Sequence, residues 1–326
     1  MDSGNIGFVL LCAAFVFVMT PGLAMFYGGL VRKKNVVNTM MTSIFIIGIG
    51  IVMWVLFGYS LSFAPSGNAF IGDFRWLGLE GVSLTEGYTD DASIPNMVFS
   101  AFQMMFAVIT PALITGAVAG RMKFKSIFVF TIFWSLIVYY PLAHMVWGQG
   151  GLLGADGIGA LDFAGGDVVH ISSGVSALVL CILLGKRHDY EHSIYRIHNI
   201  PTVVLGASLL MFGWFGFNAG SALAADGLAA HAFMTTGVSA AAAMLSWMLC
   251  DVIKNKKPTL IGASTGMVAG LVGITPGAGF VPMWAAVIIG LTTSPVCYIM
   301  ISYGKKKFGF DDALDAFSCH GTGGIW

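Results

Sequence analysis

The feature that most constrains this chain is a succession of apolar stretches, each about as long as a bilayer core is thick. A hydrocarbon layer about 30 Å deep is crossed by about 20 residues at 1.5 Å rise. Such stretches run at 6–31, 41–63, 95–119, 126–147, 164–185, 199–220, 230–253, 258–275 and 281–303. A tenth is expected to start near Asp312 and to be still running at Trp326. In lipid, every backbone N–H and C=O must be paired inside its own segment, so unbroken runs of this length predict helices. The expected fold class is an all-α polytopic membrane protein with at least ten crossings. Composition points the same way, since charged residues are 10% of the 326, well below the roughly 25% of an ordinary soluble domain.

Charge placement sets the expected orientation, because Lys and Arg beside membrane segments are retained on the cytoplasmic side. Arg32, Lys33 and Lys34, then Arg121, Lys123 and Lys125, Lys186, Arg187 and Arg196, Lys254, Lys256 and Lys257, and Lys305, Lys306 and Lys307 fall in alternate loops, leaving only Arg75 for the other side. That other side carries Asp73, Glu80, Glu86, Asp90, Asp91, Asp156 and Asp226. It is expected to face outward with the N-terminus and to attract cations weakly. The formal net charge of zero conceals this polarity, and no basic stripe suggests a nucleic-acid partner. The first apolar run lacks a basic n-region and a convincing cleavage site, so it reads as an uncleaved first helix. Cys12, Cys181, Cys250, Cys297 and Cys319 lie in apolar segments without paired spacing and read as small buried hydrophobes.

The long polar interval at 64–93 is expected to form an outer lid. Five spans precede the loop around Lys186 and five follow it, the arithmetic of an inverted repeat, with halves at 1–187 and 188–326 in one membrane domain. The fifth span carries His170 in VVHISSG and the tenth carries His320 in SCHGTGG. Each is placed about eight residues, or about 12 Å, inside its helix from opposite faces, and so near mid-bilayer. A histidine at that depth either lies on a substrate or proton path or is a neutral bridge between helices.

Around the histidines, Asp162 and Asp167 in DFAGGDVVHISSG and the acids of DDALDAFSCHG fit helix starts and show no metal-ligand spacing. No cofactor is expected. AHMVWGQGG holds His144 and Trp147, and GWFGFNAGSA holds Trp214, Phe215, Phe217, Asn218 and Ser221. These clusters read either as an interfacial aromatic belt or as a cation-attracting cup of indole and hydroxyl. Phe102 and Phe106 lie one turn apart on one face, which ordinary packing explains equally well. Gly116, Gly120, Gly166, Gly174, Gly262, Gly266 and Gly270 suggest close helix approach.

At this point the motifs resemble those of the ammonium transporter (Amt) family. DFAGGDVVHISSGVSALVLCILLGKR looks like its signature, and PGLAMFYGGLVRKKN, PLAHMVWG, GWFGFNAGSA and DALDAFSCHG match its other landmarks in order. The resemblance implies an eleven-helix fold, assembled as a homotrimer of independently conducting protomers. It implies that Trp147, Ser221 and Phe106 recruit ammonium, and that Phe106 and Phe217 stack as a gate. His170 and His320 would line the narrow pore as hydrogen-bonded twin histidines, and Asp162 would organise the recruitment site without touching the substrate. Trp214 and Phe102 would support these groups. Methylammonium is the implied analogue, and a PII regulatory protein the implied partner on the cytoplasmic face of a cell membrane. Against the family pattern, the remainder of the tenth helix, the eleventh and the cytoplasmic tail are missing, so Trp326 reads as a cut end. The expected function is ammonium uptake by deprotonation and passage of ammonia. The alternatives are an ammonium sensor module fused to a signalling domain, and a Rhesus-type gas channel, which is disfavoured by the presence of both Trp147 and Ser221. An enzyme is not expected, because no nucleophile with a base or metal is evident.

Overall fold

Long apolar runs leave the backbone one way to satisfy its own polar groups. The computed structural model, which describes residues 1–155, 157–188, 190 and 196–326, is helical along those runs. Nine helices among the described residues are long and apolar enough to cross a membrane. They are α1 Ser3–Leu30, α2 Lys33–Phe63, α3 Asn96–Ile114, α4 Phe124–Trp147, α5 Gly166–Leu184, α6 Ile200–Gly220, α7 Gly227–Asn255, α8 Leu260–Gly277 and α9 Met283–Phe308. A shorter helix, α10, covers 317–325. It starts later than the sequence suggests. Asp312 lies outside it and accepts from the backbone N–H of Ala316 (3.0 Å) and Ser318 (3.1 Å), so the acid caps this helix instead of joining it.

Several other starts are set in the same way. The side chains of Asp2, Asn199, Asp226 and Thr259 accept from N–H groups in the first turns of α1, α6, α7 and α8. The helices then pack around α3, which is 78% buried. α1 lies along α6 at a separation only glycine permits, since a Cβ on Gly206 would stand 2.2 Å from the backbone nitrogen of Phe26. Gly120 differs from the other glycines singled out in the sequence: its φ of +76° makes a turn after α3, and it is not needed for a helix crossing. Ile137, Leu183 and Leu249 remain well exposed on the bundle's outer surface, an arrangement suited to lipid and unsuited to water.

The 64–93 segment forms the expected lid. Trp76 stacks on Tyr59 (ring centroids 5.3 Å apart, 13° between planes) and Tyr88 on Phe99 (4.7 Å, 7°). Ser60 donates to the carbonyl of Asp73 and accepts from the N–H of Trp76. His144 ties α4 to this end through the carbonyls of Ser62 (3.0 Å) and Asn68 (2.8 Å). A neutral ring donates to one of these two carbonyls at a time, and either bond makes His144 a structural bridge.

Candidate functional site

The two intramembrane histidines stand on helices that begin in matching ways. Asp162 accepts four backbone N–H groups, from Gly165 (2.7 Å), Gly166 (2.7 Å), Asp167 (2.8 Å) and Val168 (3.2 Å). Burial raises its carboxyl above the usual aspartate value, and these donors pull it back down. α5 then opens with a wide π turn, Gly166–Ile171, which carries His170. At the other end Asp312 caps α10, whose π turn, Phe317–Gly321, carries His320. Each histidine is therefore about one turn inside its helix. The eight residues expected from the sequence include a non-helical capping stretch.

The helices meet backbone to backbone where their rings face. A Cβ on Gly174 would lie 2.1 Å from the nitrogen of Gly321. That contact brings His170 Nδ1 to 3.3 Å from His320 Nδ1, with ring centroids 5.2 Å apart and planes 27° apart. For this to be a hydrogen bond, one Nδ1 carries the hydrogen and the other accepts it. His170 Nε2 is buried without a partner.

From His170 a series of rings runs toward the lid. Trp214 stacks on His170 (5.2 Å, 26°) and is anchored by its indole N–H to Thr275 Oγ1 (2.8 Å). Phe217 lies 6.1 Å from His170 and 4.2 Å from Phe106. Phe106 meets Trp147 edge to face (6.0 Å, 87°) and packs on Phe102 (5.0 Å). The indole N–H of Trp147 donates to the carbonyl of Asp162 (2.9 Å), so one residue fixes both Trp147 and the start of the His170 helix. Ser221 donates to the carbonyl of Phe217 (2.9 Å), which leaves its oxygen lone pairs available to accept. Trp147, Phe106, Phe217, Trp214, His170 and His320 are thus linked by successive ring contacts, whereas Phe215 stacks on Phe233 and Asn218 donates to Thr236 Oγ1, apart from that series.

That series joins two cavities. Beneath the lid is a vestibule of about 590 Å³, walled in part by Tyr88, Asp91, Gln103, Phe106, Trp147 and Ser221. At the basic end is a second cavity of about 320 Å³ that reaches His320 and is lined by Tyr27, Arg32, Arg187, Lys305 and Asp315. A further cavity of only about 10 Å³ is bounded by His170, His320, Trp214 and the apolar Met19, Leu23, Leu113 and Val268. Among the described residues, no group of three or more His, Cys, Asp and Glu is placed to hold a metal ion.

Two features escaped the sequence. The Gln103 side chain, in the FQMMFAVIT run, reaches the vestibule with a buried Oε1 that has no partner. Its signal was a lone amide in an apolar helix. At the basic end Arg187 grips Asp311 in a fork, Nε to Oδ2 at 2.7 Å and Nη2 to Oδ1 at 2.6 Å, with Arg121 beside it. Burial of the Asp311 carboxyl acts to raise its pKa, but the two arginines outweigh that and hold it below the usual aspartate range.

A helical bundle of membrane-length spans among the described residues defines a polytopic all-α membrane protein. Residues 7–326 match the model of the Ammonium Transporter Family. The chain is 53% identical over 326 residues to an ammonium transporter of Bacillus subtilis (strain 168), covering all of this chain and 79% of that protein. Its structure resembles Saccharomyces cerevisiae Mep2 at a TM-score of 0.91 and 39% identity, over 99% of this chain and 72% of the other. It also resembles a structure described as a sensor Amt protein at 0.89 and 30%, over 99% and 80% respectively. The chain belongs to the ammonium transporter family, and it is not an enzyme.

Proposed function

We propose that this protein takes up ammonium by recruiting the cation in the lid-side vestibule, removing its proton, and conducting ammonia and the proton along the histidine pair. The observation that carries the reading is the ordered line from vestibule to Phe106, Phe217, His170, His320 and the second cavity. A bare cation entering a 10 Å³ apolar constriction loses its hydration without replacement, whereas neutral ammonia does not carry that penalty. Trp147 and Phe106 line the vestibule, where a ring face attracts a cation, and the Ser221 oxygen can accept an N–H. Phe106 and Phe217 close the way beneath as a gate. The paired imidazoles offer a place for one proton at a time, because two charges at their separation repel strongly.

The basic-end loops facing the cytoplasm of a cell membrane, with the N-terminus outside, follow from the positive-inside rule. The matched spacing of Asp162 to His170 and Asp312 to His320 supports two inverted halves. A homotrimeric assembly and a PII protein on the cytoplasmic face are the corresponding proposals for assembly and control. The likeness to a sensor Amt structure favours one second reading, in which ammonium binds the same vestibule to signal and is not conducted.

The test is to reconstitute the full protein in liposomes and record ammonium-evoked current and internal pH for wild type, His170→Leu and His320→Leu. Coupled current and ion selectivity should both be lost in each variant, while a pore passable by ammonia or another cation remains. Unchanged coupling in either variant sinks the relay, and a silent wild type with intact ammonium binding favours the sensor.

A further inference from the structure

Each capping aspartate is held by a side chain from the end of the span that precedes it. At the lid end the indole N–H of Trp147, the last residue of α4, donates to the carbonyl of Asp162 (2.9 Å). At the basic end the ammonium group of Lys305, in the last turn of α9, donates to the carbonyl of Asp312 (3.2 Å) and pairs with the carboxylate of Asp315. The tethers are alike in placement and opposite in chemistry, because an indole face attracts a cation and an ammonium group repels one. The cavities differ in the same sense. Among the described residues, the wall of the lid-side vestibule holds one carboxylate, Asp91, and no lysine or arginine. The wall of the basic-end cavity holds Arg32, Arg187, Arg196 and Lys305 against one carboxylate, Asp315, and it reaches His320. Lys305 binds the 312–315 stretch that leads into α10, and its side chain is only 19% exposed, so its charge is fixed in that wall.

We infer that Lys305 is a specificity-determining residue of the basic-end mouth, a fixed cation that keeps ammonium and alkali ions on that side away from His320. The pore then admits ammonium more readily from the lid side than from the basic side. Neutral ammonia carries no charge and leaves past Lys305 without that repulsion. Asp315 holds the ammonium group in the wall and tempers its field. Without Asp315 the barrier rises, and without Lys305 a bared carboxylate turns repulsion into attraction. Two like charges within the width of such a cavity disfavour each other about tenfold or more at an effective dielectric constant of about 20. Pairing with Asp315 and water in the cavity weaken this, which leaves about fivefold discrimination. The direction of traffic rests on the uptake reading, whereas the charge of the mouth stands without it.

The experiment places the full protein in membrane vesicles of both orientations and records the current evoked by ammonium steps applied to the lid side or to the basic side. Half-saturation should need more ammonium from the basic side. Lys305→Met should lower that basic-side concentration about fivefold and leave the lid-side one as it was, and Lys305→Arg should match wild type. Asp315→Asn should raise the basic-side concentration, a change in the opposite direction that misfolding does not produce. Values that shift together on both sides in Lys305→Met, or an Asp315→Asn variant that shifts the same way as Lys305→Met, reduce Lys305 to a structural tether and overturn the inference. The charge of the mouth is also read without transport, from the rates at which a cationic and an anionic methanethiosulfonate reagent modify Leu314→Cys, a position in the same wall. The unsubstituted protein gives the background from its five cysteines. Relative to a small free thiol, the anionic reagent should be favoured, and adding Lys305→Met should shift the ratio about fivefold toward the cationic one. An unshifted ratio overturns the inference even where ammonium current is normal, and the uptake reading then stands. A wild type silent from both sides, with a ratio that shifts, overturns the uptake reading and keeps the charged mouth.

Discussion

Replacing Asp162 by Ala removes one carboxylate and leaves four N–H groups at the start of α5 without their acceptor. A single helix cap is worth about 1 kcal/mol, and a hydrogen bond to a charged group about 1.5–3 kcal/mol. The four bonds here share two oxygens, and one is long at 3.2 Å, so they do not add in full. Water reaches the half-buried loop and compensates in part. We expect a loss of about 3–4 kcal/mol, a large fraction of a typical folding free energy, and a melting temperature lower by at least about 5 °C in detergent. The same change slackens the Asp162 carbonyl that holds Trp147 and the turn that carries His170, so ammonium-evoked current in liposomes should fall together with stability. Asp162→Asn keeps an oxygen able to serve Gly165 and Gly166 and turns an amide N–H₂ toward the other two donors, so its loss should be intermediate. The reasoning is refuted if the Ala variant melts within about 2 °C of wild type, or if it melts early while its current is unaltered.

Three further outcomes follow from the geometry. Asp311, held below the usual aspartate value by Arg187 and Arg121, gives stability that is fully present above about pH 4 and is lost as pH falls through its folded value. Asp311→Asn should therefore cost about 3 kcal/mol at pH 7 and flatten the acid limb of a melting-temperature profile, and a limb of unchanged slope would count against the pair. Gly174→Ala places a methyl group 2.1 Å from the backbone of Gly321, so folded yield or melting temperature should drop sharply, with about 3 kcal/mol lost to overpacking; wild-type melting would mean the crossing can open without strain. Trp147→Leu should weaken ammonium recruitment about tenfold, from a cation–π contribution of about 1–2 kcal/mol, as read from the concentration dependence of current, and unchanged discrimination against potassium would tell against the aromatic cup.

The spans were legible because lipid imposes one rule on every residue of a run, and that rule acts locally in sequence. The helix that carries His320 shows where local reading ends. Apolar pattern alone extends α10 back to Asp312, but an aspartate that can turn its carboxylate onto the N–H groups of Ala316 and Ser318 stabilises a start further along. The same competition at Asp162 places His170 one turn into α5. The contacts among the named rings do not depend on where a helix begins, so they are unaffected by this difference. The fork of Arg187 on Asp311 joins residues 124 positions apart, and no local pattern distinguishes that aspartate from Asp312 beside it. Gln103 was invisible for a related reason, since an amide in an apolar helix reads as an interhelical bridge until its side chain is found lining a cavity. The helix starts and the chemistry are in fact one problem. Each capping aspartate fixes the turn on which its histidine stands, the Gly174–Gly321 contact fixes the distance between the two turns, and the 3.3 Å between imidazoles follows from both. A substitution that relaxes either cap should therefore disturb the histidine pair without touching a ring.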